Sequence, residues 1–280
     1  MNQWRKGVAH WTCGDTLYLS VPFTWLLGEA EHAAKAHKGR IVAGGPAVKL
    51  CGASWAETPE SVPFDVLAMH NPCATFTTRG CPNRCTFCAV PKIEGDFIEL
   101  DHWKPAPMVC DNNLLASSRK HFARVVDSLR SFPANDFNQG LDARRFTSWH
   151  AEQLAELRCV HVRFAFDHVN DESAVADAIA LVRLTGLPKP SIYVLMGFRD
   201  TPDDARYRLE KVVEWGATPC PMRYQPLDAT EKNAYVAPGW TDYELRKMGR
   251  YYWKHRFFSA TPYEDFVAGE FPLLAGKESP

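Results

Sequence analysis

Residues 74–88 read ATFTTRGCPNRCTFC, and this stretch determines the fold prediction for the chain. Its first half, up to Arg79-Gly80, is rich in apolar and β-branched residues, which is typical of a strand that ends in a glycine turn. Its second half holds Cys81, Cys85 and Cys88 in a C-x3-C-x2-C spacing. Cysteine thiolates are the usual ligands of iron–sulfur clusters, and a complete four-iron cluster normally takes four of them. Three thiolates on one loop therefore predict a 4Fe–4S cluster with one iron open to a substrate or cofactor.

Zinc binding is the main alternative for the three cysteines. Structural zinc sites use four nitrogen or sulfur ligands, often as two C-x2-C pairs. No second pair follows the loop in this sequence. The iron–sulfur cluster is therefore the favoured prediction, and a zinc knuckle or three unrelated thiols are the alternatives.

The cysteine loop resembles that of the radical S-adenosylmethionine (SAM) superfamily, whose defining motif is C-x3-C-x2-C after the first barrel strand. Arg79-Gly80 before the motif and Phe87 just before its last cysteine are also similar to that family. The run GCPNRCTFCAVP, residues 80–91, is similar to the methylthiotransferase and cobalamin-binding branches. On this resemblance Phe87 is a candidate cofactor-binding residue.

The composition is ordinary for a soluble globular enzyme. Hydrophobic residues make up 46% and charged residues 23% of the 280 residues, and the net charge is −1. This charge gives no general attraction to nucleic acid or to an anionic membrane. The sequence shows no secretory signal pattern and no run of about 18 apolar residues, so a cytoplasmic location without membrane contact is expected. In a reducing compartment, cysteines ligate metal or lie buried rather than form disulfides.

The chain is expected to have three parts. Residues 1–70 form a short N-terminal βαβ extension, with strands at 16–21 and 40–46 and a helix at 23–37 between them. A connector rich in proline follows at 56–63. Residues 71–230 are the core, and residues 231–280 are a C-terminal helical segment.

The core alternates strands with helices. Six strands are predicted at 74–79, 107–111, 137–141, 160–167, 191–197 and 218–227. Helices are predicted at 117–132, 147–157, 171–184, 203–215 and 242–255, with Thr147 and Asp203 as N-caps. Strands separated by helices form parallel βα units, so the fold class is α/β, a partial (βα)6 TIM-like barrel. The count of six strands equals that of the resembled superfamily.

Polar residues at the C-terminal ends of the strands are the site candidates, because βα barrels carry their chemistry at that face. Asp111 and Asn113 follow the second strand, where the resembled family often holds the amino group of SAM with a Gly-Gly-Glu motif. This chain lacks that motif, and its Asp111-Asn112-Asn113 is similar to the Asp-Asp-Asn of cobalamin-binding relatives. Turn capping is the alternative role for the asparagines.

The third, fourth and fifth strands supply further candidates. Gln139, Arg163 and Asp167 are candidates to bind SAM or the substrate. The alternative for Arg163 is an ion pair inside the barrel, because buried charges need partners. Met196 loosely matches the apolar residues that the resembled family places against adenine. No catalytic residue is assigned.

The remaining cysteines allow a second cluster as a less favoured interpretation. Methylthiotransferases hold a second cluster with three N-terminal cysteines, and this chain has Cys13, Cys51 and Cys73. Isolated cysteines are most often small buried hydrophobes, so burial is favoured for these. Burial is likewise expected for the cysteines in or beside strands, which are Cys110, Cys159 and Cys220.

Cobalamin is not expected as a cofactor. The turn Gly44-Gly45-Pro46 resembles the end of a cobalamin-binding domain. However, the Asp-x-His-x-x-Gly signature that supplies the axial histidine is absent, and about 70 residues are too few for a full doubly wound domain. The N-terminal part resembles a truncated remnant of such a domain.

Residues 243–258 interleave basic and aromatic side chains. Such a pattern can bind single-stranded nucleic acid through phosphates and base stacking. The favoured interpretation is an amphipathic helix that packs on the barrel.

The resemblance implies a reaction. Cys81, Cys85 and Cys88 would ligate the cluster, SAM would bind its fourth iron, and an external one-electron reductant of flavodoxin or ferredoxin type would trigger cleavage to a 5′-deoxyadenosyl radical. That radical would abstract hydrogen from a small-molecule or nucleic-acid substrate. Two alternatives stay open: a radical enzyme that adds sulfur or methyl to nucleic acid, and a non-catalytic iron–sulfur protein of electron transfer or regulation.

Overall fold

The computed structural model describes residues 4–158, 160–254 and 258–269 and begins with a three-stranded sheet. Strands β1 (Ala9–Cys13) and β2 (Thr16–Ser20) form an antiparallel hairpin, and β3 (Ile41–Gly44) pairs in parallel with β2. Helix α1 (Leu27–Ala36) connects the parallel pair and completes a strand–helix–strand unit. Strand β1 was not predicted, because only its first residue is buried and its pattern lacks an apolar alternation.

This N-terminal unit has a hydrophobic core of its own. Leu17, Leu19 and Val21 from the β2 region pack with Ala30 and Ala34 of α1. The small alanine side chains on the buried face of α1 allow the helix to lie close to the sheet. Two short helices, α2 (Pro46–Cys51) and α3 (Val66–His70), lead to the core of the chain.

The predicted strand at 74–79 is divided in two. Strand β4 (Ala74–Thr75) joins a parallel sheet, whereas β5 (Thr78–Arg79) pairs with the antiparallel strand β6 (Ile98–Glu99). At the division, the N–H groups of Thr77 and Thr78 donate hydrogen bonds to the carboxylate of Asp111. Strands β5 and β6 bracket residues 80–97, which contain the three cysteines and the short helix α4 (Val90–Ile93).

The parallel strands follow one another in chain order. One sheet holds β4, β7 (Met108–Val109), β8 (Asn135–Phe137) and β9 (Val160–His161). A second holds β10 (Arg163–Ala165), β11 (Ser191–Met196) and β12 (Thr218–Arg223). Only Val162 separates β9 from β10, so the extended run 160–165 takes part in both sheets. The α/β class is therefore as predicted, with strands shorter than the apolar runs that predicted them.

Four helices alternate with these strands: α5 (Arg119–Leu129), α6 (Ser148–Ala155), α7 (Glu172–Leu184) and α8 (Pro202–Glu214). Thr147 caps α6 as predicted. The predicted cap at Asp203 is wrong, because Thr201 caps α8 by accepting the N–H of Asp204. Pro202 then occupies the first turn, where its missing N–H costs nothing.

A single large hydrophobic core lies between these strands and helices. Its most deeply buried phenylalanine side chains are Phe122, Phe137, Phe164, Phe166 and Phe266, each at most 2% exposed. Aromatic rings bury large areas of apolar surface, so these five contribute strongly to the stability of the core.

The C-terminal part adds two helices. Helix α9 (Asp242–Trp253) packs against β12 and α8 and buries Leu245 and Met248, in agreement with the packing interpretation of this segment. Helix α10 (Tyr263–Ala268) follows. His255, Arg256 and Phe257, which belonged to the predicted basic and aromatic segment, lie outside the described residues. Within the described parts of the chain, no helix combines the length and the apolar character needed to cross a bilayer.

Candidate metal centre

The three predicted ligands lie together on the loop that β5 and β6 bracket. Cys81, Cys85 and Cys88 are all half-buried and have free thiols. The N–H of Cys88 donates to the carbonyl of Cys85 at 3.0 Å, which closes a tight turn between them. Before the first cysteine, Gly80 has a φ of +70°, and a Cβ there would lie 2.2 Å from the carbonyl oxygen of Asp96. The loop therefore requires glycine at this position.

Two of the three sulfurs accept hydrogen bonds. The side-chain amide of Asn113 donates to the Sγ of Cys81, and the backbone N–H of Val90 donates to the Sγ of Cys88, each at 3.5 Å. Burial is the main factor that raises the pKa of Cys85 and of Cys88, and the neighbouring thiols raise it further. Half-buried thiols of this kind are converted to thiolates when a metal displaces the proton. The donors and their surroundings therefore suit a metal–thiolate group.

The cysteines do not form a preassembled site for one ion. In residues 4–158, 160–254 and 258–269, no group of three or more His, Cys, Asp or Glu residues is placed to hold a metal ion. A cluster differs from a single ion, because each thiolate binds a different iron atom. The 4Fe–4S cluster thus stays a prediction that rests on the loop and its donors.

Asn113 is the candidate closest to the cysteines. It is only 2% exposed, and its amide nitrogen bonds both Cys81 and Asp142. Its Oδ1 is buried and has no hydrogen-bond partner within the described residues. A buried carbonyl oxygen left unpaired is unfavourable, so this atom is placed to accept a hydrogen bond from a ligand.

The carboxylate of Asp111, in contrast, is hydrogen-bonded to backbone N–H groups. Its carboxylate accepts hydrogen bonds from the N–H groups of Thr77 and Thr78, at 2.6 and 3.0 Å, and from the hydroxyl of Thr77. Burial raises its pKa, and these hydrogen bonds oppose that shift. Asp111 thus holds the segment that leads into the cysteine loop, and its role in cofactor binding stays a prediction.

Asp142 is a site residue that the sequence analysis did not select. Its carboxylate accepts hydrogen bonds from Asn83 inside the cysteine loop at 2.9 Å, from Asn113 at 3.1 Å, and from Arg144. Burial acts to raise its pKa, but the donors from Arg144 and Asn83 hold the pKa below its usual value. Three segments distant in sequence therefore meet at one ionised carboxylate. Only the polar run after the third strand pointed to this region.

Asp167 interacts electrostatically with two of the three cysteines. It follows β10, is half-buried, and accepts the N–H of Leu195 at 3.0 Å. Burial raises its pKa to about 6. Its charge also acts on Cys85 and Cys88 and raises the pKa of both thiols. Asp167 therefore acts electrostatically on the cysteine loop, and its role in binding SAM or the substrate stays a prediction.

Arg163 interacts with a carboxylate of a neighbouring strand. It forms an ion pair with Asp136 of β8, and its guanidinium also donates to the carbonyl of Phe137 at 3.3 Å and contacts His161. Both charged side chains are nearly buried, at 9% and 12% exposure. This geometry is the interior ion pair that the sequence analysis offered as the alternative to cofactor binding.

The other three candidates, Gln139, Met196 and Phe87, lie in two different places. Gln139 and Met196 face a large cleft between the N-terminal unit and the central strands. Phe87 packs edge-on against Phe198, which follows β11, with ring centroids 5.4 Å apart. Phe198 in turn contacts Tyr224 after β12, at 4.7 Å. Phe87 therefore ties the cysteine loop to the ends of the fifth and sixth parallel strands.

Arg208 supports this end of the strands from α8. Its guanidinium donates to the carbonyls of Phe166 and Leu195, each at 3.0 Å, and pairs with Asp200. Only 2% of the residue is exposed. Asp200 accepts the N–H groups of Gly197 and Phe198. This network fixes the loop that carries Phe198. Because its members are far apart in the sequence, no local pattern predicted it.

Five further cysteines lie in the described parts of the chain, outside the cysteine loop. Cys110 and Cys220 are buried, as predicted, whereas Cys159 lies outside the described residues. The expectation of burial was wrong for Cys13 and Cys51, which are exposed, and Cys73 is half-buried. Cys13 ends the hairpin strand that the sequence analysis missed, and Cys51 ends a short helix.

The chain was compared with protein-family models and with curated proteins, and none of either kind matches it.

Proposed function

We propose that the protein is a radical SAM enzyme that uses a 4Fe–4S cluster to cleave SAM and abstract hydrogen from a substrate. One observation carries the proposal. Three free, half-buried thiols in C-x3-C-x2-C spacing lie on the loop that β5 and β6 bracket, beside a buried amide whose oxygen has no hydrogen-bond partner among the described residues. Three cysteine ligands leave one iron of such a cluster available to a ligand.

The proposed architecture is a partial (βα)6 barrel. Six parallel strand positions in chain order, alternating with helices α5 to α8, support it. In such barrels the C-terminal strand ends form the active face. The cysteine loop, Asn113, Asp142 and Asp167 all follow strand ends and would lie at that face.

Particular residues would hold the cofactors. Cys81, Cys85 and Cys88 would ligate the cluster, while the N–H donors from Asn113 and Val90 would stabilise negative charge on sulfur. When bound, the cluster and SAM supply reductive cleavage of the sulfonium and hydrogen abstraction from the substrate. The unpaired Oδ1 of Asn113 would accept a hydrogen bond from the amino group of SAM.

The surrounding residues would position these groups. Asp142 holds the cysteine loop and the amide of Asn113 in fixed relation. Phe87 and Phe198 pack against each other at the cysteine loop and would help exclude water there, which protects reactive species from side reactions. An external one-electron reductant of flavodoxin or ferredoxin type would be needed, and a cytoplasmic location would provide one.

The proposal is tested by anaerobic reconstitution with iron and sulfide, followed by iron analysis, absorption spectroscopy and SAM binding. About four irons per chain and a broad absorption at about 400 nm are expected, as for a [4Fe–4S] cluster. Cys85→Ala should lose both, because a ligand is removed. Cys51→Ala is the matched control, since Cys51 is exposed and outside the loop. Normal iron content in Cys85→Ala would refute the assignment.

A further inference from the structure

The cleft that Gln139 and Met196 face has a volume of about 2380 Å³. It lies between Tyr18 of the N-terminal unit, the central strands and Arg246 of α9. Sites for small ligands measure about 300–1,000 Å³. The cleft is therefore large enough for a segment of a polymer.

The charge of the cleft differs from that of the chain. Among the described residues, seven Lys and Arg side chains line it against four Asp and Glu side chains, although the whole chain has a net charge of −1. Four of the cations are exposed and form no ion pair with another described residue: Arg5, Lys6, Lys232 and Lys49, the last of which donates to the carbonyl of Ile93. Clefts lined by one sign of charge concentrate ligands of the opposite sign. The occupant is therefore expected to be anionic.

Aromatic rings are exposed in the same cleft. Phe23 and Trp25 stack with ring centroids 4.7 Å apart and planes 6° apart, and Phe23 is 51% exposed. Trp4 and Trp253 also line the cleft, at 36% and 53% exposure. Exposed rings beside unpaired cations are the features that bind single strands, because bases stack on the rings and phosphates bind the cations.

The inner end of the cleft approaches the proposed cofactor site. Glu94 lines the cleft and accepts the N–H of Gly80, the residue before Cys81, at 2.8 Å. The same carboxylate accepts the amide of Asn112, beside Asn113, at 2.9 Å. A strand lying in the cleft would thus reach the residues that connect to the cysteine loop.

We propose that this cleft binds a segment of single-stranded nucleic acid, with bases stacked on Phe23 and phosphates against Arg5, Lys6 and Lys232. The inference deepens the proposed function and rests on it, because the bound strand would be the substrate that loses hydrogen. An acidic peptide would satisfy the charge, but its Asp and Glu side chains have no aromatic face to stack on the exposed rings.

Fluorescence anisotropy with labelled single-stranded DNA and RNA of about 15 nucleotides tests the proposal on the reconstituted full chain. The double variant Lys6→Glu/Lys232→Glu should bind at least about ten-fold more weakly and show a smaller salt dependence, because phosphate contacts are lost. The matched control is Lys120→Glu/Lys189→Glu, two exposed lysines outside the cleft. Binding by this control should fall much less.

A separate variant tests the stacking of bases on Phe23. Phe23→Ala should weaken binding by about 5- to 100-fold, the effect of losing one base–aromatic contact. Tyr207→Ala is the control, because Tyr207 is 41% exposed and lies outside the cleft. The two nucleic acids, used as separate probes, establish whether DNA or RNA is preferred.

Three results would overturn the inference: no binding at low salt, equal losses in the cleft variants and their controls, or stronger competition by an acidic peptide than by unlabelled strand. Iron content and SAM cleavage are measured on the same preparations. If iron content and SAM cleavage are normal but nucleic acid does not bind, only this inference would be overturned. Absent iron with normal strand binding would overturn the proposed function and retain the nucleic-acid cleft.

Discussion

The side-chain amide of Asn113 donates a hydrogen bond to the sulfur of Cys81 at 3.5 Å and another to the carboxylate of Asp142 at 3.1 Å. One buried amide thus joins the end of the second parallel strand to the cysteine loop and to the loop after the third. Its oxygen stays unpaired among the described residues. Because an unsatisfied buried acceptor costs about 1–3 kcal/mol, a donor brought by a ligand would be favoured at this position.

Asn113→Ala should weaken SAM binding about ten-fold, the effect of one lost hydrogen bond of about 1.4 kcal/mol. Equilibrium dialysis with labelled SAM measures it. Asn112→Ala is the neighbouring control, because the amide of Asn112 donates to Glu94 rather than to a cysteine of the loop. Unchanged SAM affinity in Asn113→Ala would show that the unpaired oxygen has no part in cofactor binding.

Gly80→Ala should prevent assembly of the metal centre. The positive φ costs about 1–2 kcal/mol for any residue with a Cβ, and the Cβ would also lie 2.2 Å from the carbonyl oxygen of Asp96. Gly95→Ala separates the two effects, because Gly95 has a φ of +78° and a Cβ added there would meet no described atom within 4 Å. Iron content after reconstitution should fall sharply in Gly80→Ala and little in Gly95→Ala. Equal iron content in both would contradict the steric argument.

Stability of the metal-free chain should depend on the ionisation of Asp167. Its pKa is raised to about 6 in the folded chain, against about 3.9 for an unperturbed Asp. The folded state therefore holds a proton that the unfolded state has released. The free energy of unfolding should fall as the pH rises from about 4 to about 6, by about 1–3 kcal/mol from this group.

Asp167→Asn should remove that part of the pH dependence, because an amide does not ionise and its oxygen can still accept the N–H of Leu195. Urea unfolding at pH values between about 4 and about 7 measures both chains. An identical slope in the wild type and in Asp167→Asn would mean that Asp167 titrates normally.

Arg163→Met should destabilise the fold by about 3–5 kcal/mol, because it leaves the nearly buried carboxylate of Asp136 without its partner. The double variant Asp136→Leu/Arg163→Met should recover most of the loss, since two apolar groups replace the pair. Urea unfolding measures both. A loss of SAM binding in Arg163→Met at unchanged stability would instead favour the cofactor role for Arg163.

The elements that were predicted correctly are those whose structure depends on residues close together in the sequence. Helices α5 to α8 follow from amphipathic spacing and from caps such as Thr147. The division of the first strand could not be predicted, because Asp111, more than thirty residues away, takes the N–H groups of Thr77 and Thr78. Asp142 and Arg208 were missed for the same reason. Each acts through contacts between segments that only the fold brings together.

The proposed reaction is the reductive cleavage of SAM at the loop of Cys81, Cys85 and Cys88. The most direct measurement is mass spectrometry of 5′-deoxyadenosine after the reconstituted chain is reduced with dithionite in the presence of SAM. 5′-Deoxyadenosine should form with the wild type and with Cys51→Ala, and none should form with Cys85→Ala. A chain that holds about four irons and yet forms no 5′-deoxyadenosine would contradict the proposed radical chemistry and favour an electron-transfer or regulatory protein.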